Sequence, residues 1–274
     1  METIDDLLWE IGEAGLRLTE LRALEGAAGN ISVYLPGGSA AALAGITEVF
    51  SASSDWRPPS AERLPAGVLL VTGTGKRLRD AARSPAAVLC AIVIDGSGAC
   101  TLRHAPEHAV RPTSEIDSHF GIHAALAATG AQTRTIIHAQ PPHLTWLSHI
   151  PAYRHDGVMN RQLYRWQPET IVMLPEGLAV LPYVTPGTPE QGEQTTAAAL
   201  QQRVIIWAKH GVIVHVAGGP LAAVDLIDYV EAAARYEVLD IQAGSIADGL
   251  SGRERQKIAA RFGVVPLQSL IGDE

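Results

Sequence analysis

Apolar side chains recur at helical spacing in several segments of the chain. Near the N-terminus, Ile4, Leu7, Leu8 and Ile11 fall on one face of a helix, which predicts an amphipathic helix over residues 4–23. Helices are therefore expected along the whole length of the chain and not in one half of it. Further helices are predicted over residues 114–129, 189–202, 220–243 and 253–262.

Short apolar runs between these helices predict strands. Tight turns join several of the runs, so many neighbouring strands are expected to pair antiparallel. Strands that alternate with helices indicate one α/β domain over residues 1–274, with a mixed or antiparallel sheet instead of a wholly parallel one. The predicted strands lie at residues 31–35, 68–71, 88–94, 99–103, 135–138, 171–174, 178–181, 204–208 and 212–216.

In two stretches the apolar residues follow neither helical nor strand periodicity. Residues 36–67 are rich in Ala, Ser, Gly and Pro, which predicts a long loop with one short strand near residues 47–50. Residues 149–167 are expected to be irregular. Long loops in compact domains are usually functional or mobile, so the first stretch is of interest for function as well.

Composition narrows the class of protein. The formal net charge of −8 disfavours nucleic acid and anionic membranes as partners, and no apolar run reaches the roughly 18 residues of a membrane span. The acidic N-terminus lacks the positive region of a signal peptide. Cys90 and Cys100 flank a predicted hairpin turn, where they could face each other, but reduced thiols in a cytoplasmic chain are expected. A phosphate ligand would have to be held by backbone N–H and hydroxyl groups.

Three residues suggest metal-assisted proton abstraction. Glu115 stands at the start of a predicted helix, and His138 and His210 stand at predicted strand ends. A carboxylate and two imidazoles suit zinc and similar divalent ions, and a carboxylate beside a metal can act as a general base. Each residue also has a structural interpretation: a core histidine bonded to backbone, or a carboxylate that favours a helix N-terminus.

Other residues near these three could extend the site. Gln140 lies two residues beyond His138, and residues two apart on a strand share a face, so both could bind one ion. His143 follows a Pro-Pro turn and is expected to be a surface or structural histidine. His119 and His123 could share the helix face of Glu115, where packing or interface roles are expected.

Glycine- and hydroxyl-rich turns suggest a bound anion. Residues 72–76, Thr-Gly-Thr-Gly-Lys, follow a buried strand and could form a nest of N–H groups, or an ordinary turn. Thr113 and Ser114 precede a helix, whose N-terminus favours anions, although Ser114 could simply cap that helix with Asp117. Asn30, after Gly29, is a weaker candidate.

The order of these motifs resembles the class II aldolase/adducin-head superfamily. Within it, the chain looks most like aldolases that cleave L-rhamnulose 1-phosphate. The motifs of the C-terminal half strengthen this likeness: residues 174–177 (Leu-Pro-Glu-Gly), 186–188 (Pro-Gly-Thr) and 261–264 (Arg-Phe-Gly-Val). The shared motifs of the N-terminal and central parts are Gly29-Asn30, residues 71–76, residues 112–115, His138 after two isoleucines, and Lys209-His210-Gly211.

The resemblance implies a three-layer α/β sandwich around a mixed, largely antiparallel sheet. It also implies a homotetramer with sites at subunit interfaces, and cleavage of a phosphorylated sugar to dihydroxyacetone phosphate and L-lactaldehyde through a metal-stabilised enediolate. The metal would be zinc, with manganese or magnesium possible. The matching positions are Glu115 and Glu169 for catalysis, Asn30, Thr74, Thr113 and Ser114 for phosphate, and His138, Gln140 and His210 for metal.

Two positions depart from the family pattern. Gln140 stands where the family has its middle histidine ligand, and Ala27 stands near an expected asparagine. Three alternatives to a rhamnulose-phosphate aldolase therefore stay open: a sugar-phosphate epimerase, a dehydratase of the same superfamily, or a non-catalytic relative with a degraded metal site. Retention of Glu115, His138 and His210 favours an enzyme.

Overall fold

The computed structural model describes residues 3–37, 40–57, 64–131 and 133–272. Within these ranges, nine strands form one open sheet in the order β2-β5-β4-β3-β1-β6-β9-β8-β7. Every neighbouring pair is antiparallel except β7 and β8, which confirms a mixed, largely antiparallel sheet. The strands are β1 Asn30–Pro36, β2 Ala52–Asp55, β3 Gly67–Thr72, β4 Leu89–Ile94, β5 Cys100–His104, β6 Thr135–Ala139, β7 Ala179–Leu181, β8 Val204–Trp207 and β9 Gly211–Val216.

Helices cover both faces of this sheet. The helices of the described residues are α1 Ile4–Glu20, α2 Ala40–Val49, α3 Pro85–Val88, α4 Ile116–Ala128, α5 Pro142–Leu147, α6 Asp156–Leu163, α7 Pro168–Met173, α8 Pro189–Ala199, α9 Pro220–Ala243, α10 Gly252–Phe262 and α11 Gln268–Ile271, with 3-10 turns at Leu78–Ala82 and Pro151–Arg154.

Strand alternation separates the core into two sides. On β6, Ile137 packs in the large cluster that contains α1 and α9, whereas Ile136 packs against α4 and α8 on the opposite face. Successive side chains of one strand therefore enter different hydrophobic layers, which confirms the three-layer sandwich. Cys90, also in the core, and Cys100 are both free thiols.

Three predicted segments differ from the structure. Residues 40–49, expected to be loop with a short strand at 47–50, form helix α2 because an Ala-rich run favours a helix; residues 38–39 and 58–63 of that loop lie outside the described residues. Residues 171–174, expected to be a strand, belong to α7, which has Pro168 at its first turn. Most of residues 149–167 is helical, in the 3-10 turn and α6.

The predicted cap of α4 is also wrong. Glu115 itself is the N-cap residue, and no side chain caps this helix end, so Ser114 does not pair with Asp117 as expected. Ser114 is exposed. It is consequently available for a ligand.

Antiparallel pairing brings the site residues to one edge of the sheet. Asn30 begins β1 and pairs with His138 near the end of β6, while Thr72 ends β3 and Gly211 begins β9. Starts of some strands and ends of their neighbours therefore meet at the same edge. Among the described residues, no helix combines the length and the apolar character that crossing a membrane requires.

Candidate active site

A cavity of about 110 Å³ opens at this edge of the sheet. Eight of the nine residues predicted for the site line it, from segments that are far apart in the chain. The cavity is therefore the place where the predicted metal and anion groups meet. These eight are Asn30, Thr74, Thr113, Ser114, Glu115, His138, Gln140 and His210; Ala27, Ala28, Gly29, Gly73 and Gly75 complete the wall.

His138 presents one ring nitrogen to the cavity. Its Nδ1 lies 2.9 Å from the carbonyl oxygen of Val212, and because a carbonyl can only accept, Nδ1–H donates. The other ring nitrogen, Nε2, lies 3.7 Å from Oε2 of Glu115. This backbone bond fixes the tautomer in which a histidine can bind a metal through Nε2.

His210 approaches the other carboxylate oxygen. It lies in the turn between β8 and β9, with Nε2 3.3 Å from Oε1 of Glu115. The next residue must be small, because a Cβ at Gly211 would lie 2.4 Å from the carbonyl oxygen of Ala139 and 2.9 Å from Cε1 of His138. The ligand atoms of Glu115, His138 and His210 all lie within 4.8 Å of one another, a spacing that suits one metal ion.

Gln140 fits a cation at this place. It follows β6 directly, and its side-chain oxygen is buried with no hydrogen-bond partner among the described residues. An unpaired buried acceptor is costly, so a group that accepts its lone pair would stabilise the site. Two imidazoles, a carboxylate and an orphaned amide oxygen thus form a donor set that suits a divalent metal.

The charges around Glu115 favour its ionised form. Burial alone would raise its pKa, but His138, the hydrogen bond from Asn30 and then His210 outweigh burial and lower the pKa of the carboxyl. Burial and the neighbouring His138 lower the pKa of His210 to about 4. At neutral pH the site therefore holds a carboxylate beside an uncharged His210 imidazole, a state in which both can bind a cation.

The opposite wall of the cavity offers exposed donors. The N–H groups of Thr74 and Thr113 already donate to the carbonyls of Arg111 and Thr72, at 2.9 Å each. The hydroxyls of Thr74 and Ser114 and the N–H of Gly75, by contrast, make no hydrogen bond with the described residues. This wall can therefore receive an anion through neutral groups, although fewer backbone N–H groups are available than a complete nest would supply.

Asn30 makes its hydrogen bonds inside the protein. Its Nδ2 donates to Oε2 of Glu115 at 2.8 Å and to Oγ1 of Thr113 at 3.0 Å. Its Oδ1 accepts from Nε2 of His119. In the structure Asn30 thus holds the carboxylate, a function that the sequence did not suggest.

Two glutamates and a histidine lie away from the cavity. Glu169 is exposed on α7 and is not among the residues that line the cavity within the described chain. His143 bonds Glu231 at 2.6 Å, in agreement with the expected structural role.

Comparisons with known proteins agree with this geometry. Residues 10–238 match the family described as Class II Aldolase and Adducin N-terminal domain. Rhamnulose-1-phosphate aldolase of Klebsiella pneumoniae (strain 342) is 32% identical over 207 residues, which cover 74% of this chain and 73% of that protein. The enzyme of the same name from Escherichia fergusonii is 32% identical over 206 residues, 74% of each chain.

Solved structures share the fold at lower identity. A sugar-phosphate aldolase from Thermotoga maritima superposes with a TM-score of 0.73 at 23% identity, covering 88% of this chain and 97% of that one. An L-fuculose-1-phosphate aldolase from Thermus thermophilus gives a TM-score of 0.57 at 17% identity, covering 89% and 98%. With a family match that spans most of the sequence, the chain belongs to the Class II Aldolase and Adducin N-terminal domain family and groups with its aldolases.

Proposed function

We propose that this chain is a metal-dependent lyase for a ketose 1-phosphate of the rhamnulose 1-phosphate type. The products would be dihydroxyacetone phosphate and a small hydroxyaldehyde. The observation that carries the proposal is the position of Glu115 in one cavity, between two imidazoles and a wall of exposed hydroxyl groups. The relatives named rhamnulose-1-phosphate aldolase support this substrate class.

The proposed metal ligands are His138, His210 and Gln140, with Glu115 beside them. Zinc is the proposed ion because imidazole ligands suit it, and manganese or magnesium would be favoured by the amide oxygen of Gln140. When bound, the ion would polarise the carbonyl and hydroxyl oxygens of the ketose. The buried, unpaired Oε1 of Gln140 supports its inclusion in this set.

Glu115 would move the proton. In the condensation direction its carboxylate removes a proton from the carbon next to the carbonyl of dihydroxyacetone phosphate; that carbon then bonds to the aldehyde carbon, and the aldehyde oxygen takes up the proton as it becomes a hydroxyl. In the cleavage direction the carboxylate takes the proton of that hydroxyl as the carbon–carbon bond breaks and the aldehyde forms, and the carboxyl then gives this proton to the carbon next to the carbonyl. The lowered pKa of Glu115 keeps the group ionised at neutral pH, the state in which a carboxylate can accept a proton.

The phosphate would lie against the opposite wall of the cavity. The hydroxyls of Thr74 and Ser114 and the N–H of Gly75 would donate to its oxygens, with Thr113 behind them. The Nδ2 group of Asn30 already donates to Glu115 and Thr113, so it is less available to donate to the phosphate. Neutral donors also fit the acidic chain, whose net charge would not attract a phosphate by itself.

We further propose a homotetramer in which Glu169 reaches the site of a neighbouring subunit. Large apolar side chains that a monomer would leave in water support association, among them the exposed Tyr236, Leu239 and Ile241 of α9. Sedimentation velocity would measure the assembly. Location in the cytoplasm stays a prediction from the sequence.

Metal analysis followed by a cleavage assay tests the function. The purified protein is stripped with a chelator, reloaded with Zn²⁺, Mn²⁺ or Mg²⁺, and given L-rhamnulose 1-phosphate, L-fuculose 1-phosphate and related ketose 1-phosphates. We expect metal-dependent release of dihydroxyacetone phosphate, read by its reduction with NADH and glycerol-3-phosphate dehydrogenase. An epimer or a dehydrated product without dihydroxyacetone phosphate, or no turnover with any metal, would contradict the proposal.

A further inference from the structure

A chain of buried polar groups lies behind Glu115, on the side away from the cavity opening. His119 donates through Nε2 to Oδ1 of Asn30, and its Nδ1 lies 2.8 Å from Oγ of Ser32. The same oxygen lies 3.0 Å from Nε2 of His123. These side chains are at most 6% exposed, so water does not compete for the bonds.

The direction of every bond in this chain is fixed from the Glu115 end. Asn30 contacts an ionised carboxylate and a threonine oxygen through Nδ2, so its Oδ1 must face His119. His119 must then carry its proton on Nε2, and its bare Nδ1 must accept from the hydroxyl of Ser32. The hydroxyl oxygen of Ser32 in turn accepts from Nε2–H of His123. Both histidines therefore carry a proton on Nε2, and His119, whose Nδ1 accepts a hydrogen bond, is neutral.

Burial is consistent with this neutral state. It lowers the pKa of His119 to about 3, the nearby Glu115 opposing the shift. It lowers the pKa of His123 well below the usual value for histidine. Neither ring acquires a charge at neutral pH, and the chain keeps one arrangement of its protons.

We infer that His119 is a positioning residue, which holds the amide of Asn30 in the one orientation that fixes the Glu115 carboxylate. This inference rests on the proposed function, because it matters for the rate only if Glu115 transfers the proton. If the amide of Asn30 were flipped, so that its oxygen and nitrogen exchanged places, the oxygen would face the carboxylate and two acceptors would repel each other. The Nε2–H of His119 prevents this flip, and Ser32 and His123 keep the proton of His119 on Nε2.

Two variants of similar shape test the hydrogen bonds of the two ring nitrogens of His119 separately. In His119→Gln the side-chain amide reaches the place of Nε2 and can still donate to Asn30. In His119→Asn the shorter amide sits near the place of Nδ1, so it keeps Ser32 but leaves Oδ1 of Asn30 without a donor. Ser118→Ala is the matched control, because Ser118 is a neighbour on α4 and its buried hydroxyl has no partner among the described residues.

We expect His119→Asn to lower kcat by about 10–100-fold with little change in KM, the range found when partners behind a functional group are removed. His119→Gln should retain more than about a third of kcat, and Ser118→Ala should match the wild type.

Circular dichroism and thermal melting check that all variants fold. Equal kcat losses in the Gln and Asn variants, or a higher KM at unchanged kcat, would overturn the inference. If His119→Asn does not fold, Ser32→Ala replaces it, with a smaller loss of kcat expected and an unchanged kcat counting against the inference.

Neutron crystallography tests the same inference without any turnover. In the wild type, deuterium is expected on Nε2 of His119 and His123, and the hydroxyl of Ser32 should point to Nδ1 of His119. In His119→Asn the amide of Asn30 should be reversed or divided between two orientations. Deuterium on Nδ1 of His119, or an unchanged Asn30 amide in the variant, would overturn the inference. A wild type without cleavage activity but with these proton positions would refute the proposed function alone.

Discussion

Glu115 lies between two pairs of histidines, a front pair, His138 and His210, and a back pair, His119 and His123. In front of it, His138 and His210 turn Nε2 towards the carboxylate and the cavity. Behind it, His119 has both nitrogens in hydrogen bonds to protein groups. The first pair can receive a metal, and His119 cannot without losing a bond. The comparison shows that the role of a histidine depends on which nitrogen is left unpaired, and residue type alone does not reveal it.

Access to solvent reinforces the difference. The side chain of His210 is 12% exposed and borders the cavity, whereas His119 is 0% exposed. An ion or a substrate in this cavity therefore meets His138 and His210, which line it, and not His119 or His123. The back pair acts through Asn30, which accepts a hydrogen bond from His119 and donates one to the Glu115 carboxylate.

Removing the charge between the two pairs should have the largest effect. Glu115→Gln keeps the shape of the side chain but loses the base, so turnover should fall by about 10²–10⁴-fold while the fold and the bound metal are retained. The measurements are kcat, metal content and thermal melting, with the exposed Glu190→Gln of α8 as control. Turnover close to the wild-type rate would show that another group transfers the proton.

Acid should destabilise the protein through the back pair. The pKa of His119 is about 3 in the folded protein and near the ordinary histidine value when unfolded, so between these values the unfolded chain binds more protons. The free energy of unfolding should therefore fall as pH decreases from about 6.5 towards 3, by up to about 1.4 kcal/mol per pH unit for one histidine.

The variant His119→Gln sharpens this prediction because it removes one titrating group. Urea unfolding at a fixed protein concentration, at pH 7, 6 and 5, should give a flatter dependence for the variant than for the wild type. Parallel curves would mean that His119 is protonated in the folded state, against the neutral back pair described above.

Changing Gln140 tests the front pair. An amide oxygen donates less charge to zinc than an imidazole does, so Gln140→His should raise zinc affinity by about tenfold or more, a change of the size seen when the surroundings of a metal are altered. Calorimetric zinc titration of both proteins measures the affinity, and cleavage is assayed at each occupancy. If zinc binds no more tightly to the variant, Gln140 does not face the metal.

The smallest effect is expected at the anion wall. Ser114→Ala removes one exposed hydroxyl donor and should raise KM by roughly 3–10-fold with little change in kcat, because a typical solvent-accessible hydrogen bond contributes about 0.5–1.5 kcal/mol net. Ser54→Ala, an exposed serine on β2, is the control. An unchanged KM, with bound phosphate found against Arg or Lys elsewhere, would refute the neutral-donor wall.

Sequence patterns predicted the secondary structure where it depends mainly on residues that are close together in the chain. The apolar runs ending at His138 and before His210 are strands, as expected, and a helix begins directly after Glu115, which is its N-cap. The prediction of a strand at residues 171–174 was wrong, because a short apolar run fits a strand or a helix equally well. Pro168, in the first turn of α7, favours the helix.

The back pair could not be predicted for a different reason. Its bonds exist only because β1 lies beside α4, so Ser32 and Asn30 meet His119 across the interior. The sequence did signal that Glu115, His119 and His123 share a helix face, but not what stands opposite. Glu169 stays a prediction, since its proposed place depends on a second subunit.

The strand order has a consequence for how the protein matures. Asn30, Thr72 and His138 lie on β1, β3 and β6, but His210 precedes β9, which pairs with β6 only after most of the chain has been synthesised. Pairing of distant segments requires long loops to close first. Until His210 has been synthesised, a growing chain lacks part of the proposed ligand set. A metal that binds the completed set would stabilise the folded protein by mass action.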